Sequence, residues 1–348
     1  MAATIKEVAR EAGVSVGTVS NVLSGTVGVS HGLRERVLSA VRQLDYHPNH
    51  VARSLKIRQT NMLGMVISDI TNPFFPQLVR GAEDAAWKQN YVLTTFNSDD
   101  QLEREKQILS VLRKRNVDGI LLVLASAIGA TPHLRQALTN SPVVCLDRTP
   151  SGTEIDSVTV DNAGGARNCV CHLIEQGHRR IAILTGNLEL ETGRERLRGY
   201  REAHHQAGIP IEPGLVRRCD FRLESGVREG LALLQSAQPP TAVFGCNGVM
   251  TLGLLQAVGD LGLRCPEDIA IATFDDLPVL GSIRPRLTAV AQPSYDIGFR
   301  GAELLIGRIL GTSPDGPQRL VLPTRLIVRE STLGAPPRTG DISLSALV

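Results

Sequence analysis

The sequence predicts a small all-α head joined to a large α/β body in two like halves, and three observations carry that expectation. At 348 residues the chain exceeds what a single hydrophobic core usually serves, so more than one compact unit is expected. Residues 1–46 place apolar side chains at helical spacing between glycine turns. From residue 61 onward, short apolar runs alternate with helical stretches, as in parallel α/β construction, and the alternation restarts after Asp161-Asn162.

In the head, Thr4 can cap a helix whose apolar positions are Ile5, Val8, Ala9 and Ala12, with Gly13 ending it. Ser15 can cap a second helix through Val16, Val19, Val22 and Leu23, stopped at Ser24-Gly25. Two short helices around a tight glycine turn make a helix-turn-helix. A third helix starts near Ser30 with Leu33, Val37, Leu38, Val41 and Leu44 inward; Leu33 stands where a capping box would want Glu, so its cap is incomplete. A plain three-helix bundle would satisfy these helices equally well. The segment Val51-Ala52-Arg53-Ser54-Leu55-Lys56 then combines apolar and basic residues and is too short for a stable isolated helix, so it can fold against DNA or a second copy of itself.

In the body, strands are expected at Leu63–Ile67, Tyr91–Phe96, Gly119–Leu124 and Val143–Leu146, with helices at Phe74–Gln89 and Leu102–Arg115. The second half repeats the pattern. A helix to Gln176 is followed by strand Ile181–Leu184, helix Arg194–Ala207, strand Leu215–Cys219, helix Leu223–Gln235, strand Ala242–Gly245, a helix from Val249 and strand Ile269–Phe274. Leu287–Ala291, a helix near Ser294–Ile309 and strand Arg319–Leu322 fit neither half as simple extensions, which suggests that the chain recrosses. Two like halves imply a cleft, and ligands of open α/β sheets bind beyond the carboxyl ends of strands. Residues after Gly334, with Pro336-Pro337 and no periodicity, read as a loose tail.

Composition narrows the class. Hydrophobic residues at 42% and charged residues at 21% are ordinary for a globular protein. The longest uncharged apolar run, Gly119–Ala130, is too short to span a bilayer, and the N-terminus lacks the apolar stretch of a secretory signal, so a cytoplasmic protein without membrane contact is expected. Cys145, Cys169, Cys171, Cys219, Cys246 and Cys265 have no paired C-x-x-C spacing, which suits reduced core thiols and implies neither metal nor cofactor. Net charge is +2, but residues 1–60 hold eight basic against four acidic side chains, which leaves the remainder slightly acidic. A basic head on an acidic body suits contact with phosphates.

The head resembles the LacI/GalR family of bacterial transcriptional regulators. The resemblance rests on Thr4-Ile5-Lys6-Glu7-Val8-Ala9, Ala12-Gly13-Val14-Ser15, Thr18-Val19-Ser20, Val29-Ser30, Arg34-Glu35-Arg36-Val37, Tyr46-His47-Pro48-Asn49 and Ala52-Arg53-Ser54-Leu55, and it continues through the body. It implies a DNA-binding domain at 1–46, a hinge helix and linker at 47–60, and a type I periplasmic-binding-protein-like body at 61–333. Within that body the first subdomain would take 61–160 and 291–322 and the second 161–290 and 323–333, with crossovers near Val160-Asp161, Val290-Ala291 and Leu322-Pro323. It further implies a homodimer on a near-palindromic double-stranded operator.

The resemblance assigns DNA contact to Thr4, Ser15, Val16, Gly17, Thr18, Ser20, Asn21, Ser30, Asn49, Ala52, Leu55 and Lys56. Ser15, Thr18 and Ser20 carry hydroxyls suited to phosphate contact or capping. Val16, Gly17 and Asn21 stand at the base-reading positions: Val16 can touch a thymine methyl and Asn21 can address adenine, whereas Gly17 reads nothing. Leu55 would wedge the minor groove. Strand ends supply the effector residues Asp69, Asn72, Phe74, Phe75, Asp147, Arg148, Thr192, Arg196, Phe221, Asn247, Asp275 and Gln292, most of them at the family's effector positions. Arg196 and Asp275 lead this set, because a donor fork and a carboxylate can clamp adjacent hydroxyls. Competing roles are plain: Asp161, Asn162 and Asp276 can serve only as caps, Asp147-Arg148 as a surface ion pair, and Phe221 as core.

Two other classes fit less well. An enzyme would need a nucleophile elbow, P-loop, metal cluster or full dinucleotide fingerprint, and none of these occurs in the sequence. An exported sugar-binding protein would carry a signal and no head. Among regulators, Phe74, Thr192, Arg196, Phe221 and Asp275 match positions of the purine-sensing branch, but Leu190 stands where that branch places an arginine. With Asn72-Pro73-Phe74-Phe75 and Arg196, this favours a sugar, such as a pentose, over a nucleobase or nucleoside.

Overall fold

The computed structural model describes residues 3–23, 29–46, 60–126, 134, 139 and 141–334, and the chain divides into two compact units at Thr60/Asn61. The first unit is helical, with α1 Ile5–Glu11, α2 Val16–Leu23 and α3 His31–Gln43. Its core is Val8, Ala9, Ala12, Val19, Val22, Val37, Ala40 and Tyr46; Ala40 and Tyr46 add to the expected inward positions, of which Ile5, Leu33, Leu38, Val41 and Leu44 are only half-buried. Such small residues let short helices approach closely.

The second unit holds two six-stranded sheets. The first contains β1 Met62–Ile67, β2 Val92–Asn97, β3 Gly119–Leu122, β4 Val143–Leu146, β5 Asp156–Val160 and β11 Arg319–Leu322, in the order β11-β5-β4-β3-β1-β2. All its pairings are parallel. The second sheet contains β6 Ile181–Thr185, β7 Val216–Arg218, β8 Ala242–Gly245, β9 Ala270–Phe274, β10 Thr288–Ala291 and β12 Arg325–Ile327, in the order β12-β10-β9-β8-β6-β7. Its pairings are parallel except for β12, which runs antiparallel to β10. Apart from β11 and β12, the five strands of each sheet follow the same order, and the chain passes between sheets three times, before Asn162, before Ser294 and before Arg325.

Helices cover the sheet faces: α4 Phe74–Lys88 and α5 Leu102–Lys114 on the first, α6 Asn162–Glu175, α7 Glu191–Gln206, α8 Leu223–Leu234 and α9 Gly248–Asp260 on the second. Helix α10, Ser294–Leu310, follows β10 of the second sheet yet packs on the first against α4. Glycine permits that contact. A Cβ on Gly298 would lie 1.8 Å from the Leu78 carbonyl oxygen, and one on Gly81 would lie 2.0 Å from that of Tyr295. Covered on both faces, β3, β4, β6, β8 and β9 are buried along their whole length, which accounts for their continuous apolar sequences.

Some expected bounds differ. Helix α7 begins at Glu191, a turn before the expected Arg194, because Leu190 starts it from extended backbone without a capping side chain to mark the place. The strand expected over Leu215–Cys219 shortens to Val216–Arg218, since Pro213–Leu215 forms a 3-10 turn. Strands β5 and β12 were not anticipated. The first mixes polar and apolar residues, and the second has only three residues.

Two outcomes test this packing. Gly298→Ala forces a methyl into backbone and should lower stability by about 2 kcal/mol, read by chemical denaturation. His178, buried with Nδ1 2.9 Å from the Thr241 hydroxyl, is pushed down from 6.5 to about 4 by burial and, secondarily, by His172. Below 6.5 the unfolded chain takes up a proton that the folded chain refuses, so stability should fall as pH drops from 6.5 toward 4. His178→Gln should remove part of that slope in pH-dependent denaturation.

Candidate nucleic-acid interface and ligand cleft

In the head, Thr4 and Glu7 form a reciprocal capping box, with the Thr4 N–H 2.7 Å from the Glu7 carboxylate. Ser15 caps α2 by accepting from the Thr18 N–H at 3.1 Å, and the two hydroxyls lie 2.9 Å apart. The turn between these helices is held from α3. Arg36 donates to the Ala12 carbonyl at 3.1 Å through Nε and to that of Gly13 at 3.1 Å. Gly13 sits at φ +61°, in the left-handed region. Val19 and Val22 face inward, which turns Val16 (40% exposed), Gly17 and Asn21 outward as one exposed face. Ser20 and Thr18 are half-buried at its edge. Exposed Ser30 precedes α3 without a side-chain capping bond. Asn49, Ala52, Leu55 and Lys56 lie outside the described residues, as does the tail beyond Gly334.

In the body, all twelve expected effector residues line one cleft, together with Asp100 and Arg222. Each comes from a segment after a strand's carboxyl end. Asp69, Asn72, Phe74 and Phe75 follow β1, Asp100 follows β2, and Asp147 and Arg148 follow β4. Across the cleft, Thr192 and Arg196 lie on α7 after β6, Phe221 and Arg222 follow β7, and Asn247, Asp275 and Gln292 follow β8, β9 and β10. Asp100 and Arg222 obey the same strand-end rule. Their signals were the Asp99-Asp100 pair and the neighbour of Phe221.

Arg196 is the most constrained of these side chains. Its Nε donates to Asn162 at 2.8 Å, Nη1 donates to the Cys246 carbonyl at 2.6 Å, and the guanidinium stacks 3.7 Å from the centre of the Phe274 ring. Asn162 therefore positions Arg196, whereas Asp161 caps α6 by accepting from Gly164 at 2.8 Å and Asp276 makes a forked pair with Arg329. Asn247 is committed twice, capping α9 at Met250 and donating to the Phe221 carbonyl at 3.1 Å. Asp275 accepts from the Gly248 N–H at 3.4 Å and from the Gln292 amide.

Asp147 and Arg148 are buried rather than a surface pair. Arg148 donates to Asp147 at 3.2 Å, to Asp100 at 2.7 Å and to the Leu124 carbonyl at 2.9 Å. Burial pushes the Asp147 carboxyl up against the pull of Arg148 and Arg196. For Arg148, burial opposes the charge but Asp100 and Asp147 outweigh it and hold the group above its ordinary value. Arg148 gains from two carboxylates, while at Asp147 burial, with Asp275 adding to it, outweighs the two cations.

The aromatic residues divide by role. Phe74 and Phe75 meet edge to face at 5.1 Å and belong to the first sheet's core, while Phe221 is half-buried at φ +68° with its ring over Gly186. Two buried polar atoms on the cleft wall, Thr192 Oγ1 and Gln292 Oε1, have no hydrogen-bond partner.

Residues 4–49 match the bacterial regulatory proteins of the lacI family, and residues 170–332 match a periplasmic binding protein-like domain. The chain is 36% identical over 331 residues to the ribose operon repressor of Halalkalibacterium halodurans, across 95% of this chain and 97% of that protein. It belongs to the LacI family. As a family member it is a DNA-binding transcriptional regulator with an effector-responsive body. It is also 34% identical over 335 residues to the HTH-type transcriptional repressor PurR of Proteus mirabilis, across 96% of this chain and 98% of that protein. The structure of the lac repressor dimer bound to operator and the anti-inducer ONPF matches with a TM-score of 0.86 at 28% identity, covering 96% of this chain and all of that one, 100%.

The head's turn gives a direct test. Gly13→Ala places a Cβ at a left-handed residue, 2.8 Å from Arg36 Nη2, and should cost about 1 kcal/mol or more of head stability. Non-specific DNA affinity of the full chain should fall with it in fluorescence anisotropy, because the face of α2 loses its fixed angle.

Proposed function

We propose that this chain is a repressor whose operator affinity is set by a pentose bound in the cleft of its body. The observation that carries the effector class is the internal balance of the cleft. Its carboxylates, Asp69, Asp100, Asp147 and Asp275, and its guanidiniums, Arg148, Arg196 and Arg222, largely engage one another or fixed backbone. Arg148 and Arg222 pair with Asp100, Asp147 and Asp69, whereas Arg196 and Asp275 are held by neutral partners, a donor fork and a carboxylate suited to clamping hydroxyls rather than a ligand of one charge. A small neutral polyol instead matches Thr192 Oγ1 and Gln292 Oε1, since a buried polar atom left unpaired costs about 1–3 kcal/mol and a sugar hydroxyl can pair with either. Phe221 and Phe74 supply apolar faces for the ring. The ribose operon repressor among the relatives supports the same class.

Because most of these charges pair with each other and the rest are held by neutral partners rather than converging on a reacting centre, the geometry favours binding over catalysis. Operator and pentose prefer different arrangements of the two sheets and so change each other's affinity reciprocally. The exposed face of α2 supports major-groove entry, with Val16 against a thymine methyl and Asn21 toward adenine, and with Thr4, Ser15, Thr18, Ser20 and Ser30 at phosphates. A homodimer on a near-palindromic site follows the same proposal, as does action at the nucleoid in the cytoplasm.

Calorimetric titration with a panel of pentoses, hexoses and purines tests the effector. One pentose should bind tightest, and Arg196→Lys should weaken it by roughly tenfold or more, since lysine reproduces neither the fork nor the stack. A gel shift on the regulator's own upstream DNA should change with that pentose. Tight purine binding with no response to any sugar would overturn the proposal in favour of a nucleobase-responsive regulator.

A further inference from the structure

One cleft residue joins the two halves of the body. Arg222, after β7 of the second sheet, pairs with Asp69, after β1 of the first. Its Nη2 also lies 3.4 Å from the Asp99 carbonyl oxygen and 3.9 Å from Asp100. Both ends of the pair are set in advance. On the Arg222 side, its N–H donates to Asp220 at 3.0 Å, its carbonyl accepts from the Ser225 hydroxyl at 2.9 Å, and Asn247 holds the Phe221 carbonyl. On the other side, the second Asp69 oxygen accepts from the Thr71 N–H at 2.9 Å and from its hydroxyl at 2.6 Å. The side chains are 34% and 15% exposed, so water screens the pair only in part.

We propose that Arg222 is a latch residue. It closes over a ring-sized ligand by pairing with Asp69 and thereby sets the ligand's residence time, a role that rests on the pentose proposal above. An ordinary surface ion pair must freeze two long side chains, which consumes most of its Coulombic gain. Here the short carboxylate is already pinned and the arginine's backbone is fixed, so more of the attraction remains for closure. A latch of this kind sets the rate of leaving, because the pair must part before a ligand can exit.

The test uses the full chain with Arg222→Gln, Arg222→Lys, Asp69→Asn and the double variant Arg222→Gln/Asp69→Asn. D-ribose is the probe, followed by stopped-flow dissociation, and hydrogen exchange of the ligand-free protein is read over residues 69–72 and 98–101. Arg222→Gln should release ribose roughly fivefold faster, the size expected of a partly buried, charge-assisted pair. Arg222→Lys should fall between it and the unmodified chain, and high salt should narrow the gap. Exchange in the two segments should rise in Arg222→Gln without ligand. The double variant should release ribose no faster than the faster single variant. Multiplying rates would instead mean two independent ligand contacts and would overturn the latch, as would unchanged exchange and release in Arg222→Gln while ribose still binds. If ribose does not bind the unmodified chain but exchange rises in Arg222→Gln, the latch stands and the pentose assignment falls.

Discussion

Parallel strand pairing is the constraint on which the rest of the body depends. In a parallel sheet every strand delivers its carboxyl end to the same edge, and crossover helices occupy both faces, so that edge is the place left for binding chemistry. Apart from β11 and β12, both sheets here share one strand order. The cleft residues follow from that constraint: those after β1, β2 and β4 face those after β6 to β10. Helix α10 completes the arrangement by leaving the second sheet to pack on the first, where Gly81 and Gly298 let two backbones approach as no larger residue would.

The cleft spends its polar groups on its own architecture before it offers any to a ligand. Asn247 caps a helix and fixes Phe221, Asn162 aims Arg196, and Arg148 is shared by Asp100 and Asp147. Four lining residues, Asp100, Asp147, Phe221 and Asp275, hold left-handed backbone, at φ +55°, +65°, +68° and +77°. Such conformations cost of order 1–3 kcal/mol each and persist where surrounding contacts over-determine them. The hydrogen bonds to Asp275 and to the Phe221 carbonyl are contacts of that kind. The head works similarly at smaller scale, where Thr4, Ser15 and Arg36 fix two helices around Gly13 so that one face of α2 stands outward.

Much of this was legible because the signals are local. Apolar spacing of 3.6 marked α1 and α2, glycine and hydroxyl residues marked their ends, and continuous apolar runs marked the buried strands. The strand-end rule drew twelve residues into one cleft, and it would have added Asp100 and Arg222 had it been applied to every polar residue at those ends. The losses were local too. Strand β12 is too short to show a pattern, and α7 starts without a cap.

By itself the sequence determined the kind of each element, their alternation and which residues stand at strand ends, since periodicity, capping and turn chemistry act over a few neighbours. Only the tertiary structure decided which polar groups are already engaged. Asp276 is taken by Arg329, Asn247 by a helix end and a remote carbonyl, and Asp69 by Arg222, 153 residues away. The reason is physical: these pairings join segments remote in sequence, within the second sheet's half for Asp276 and Asn247 and across the two sheets for Asp69, and their approach is set by packing over the whole body rather than by any local pattern.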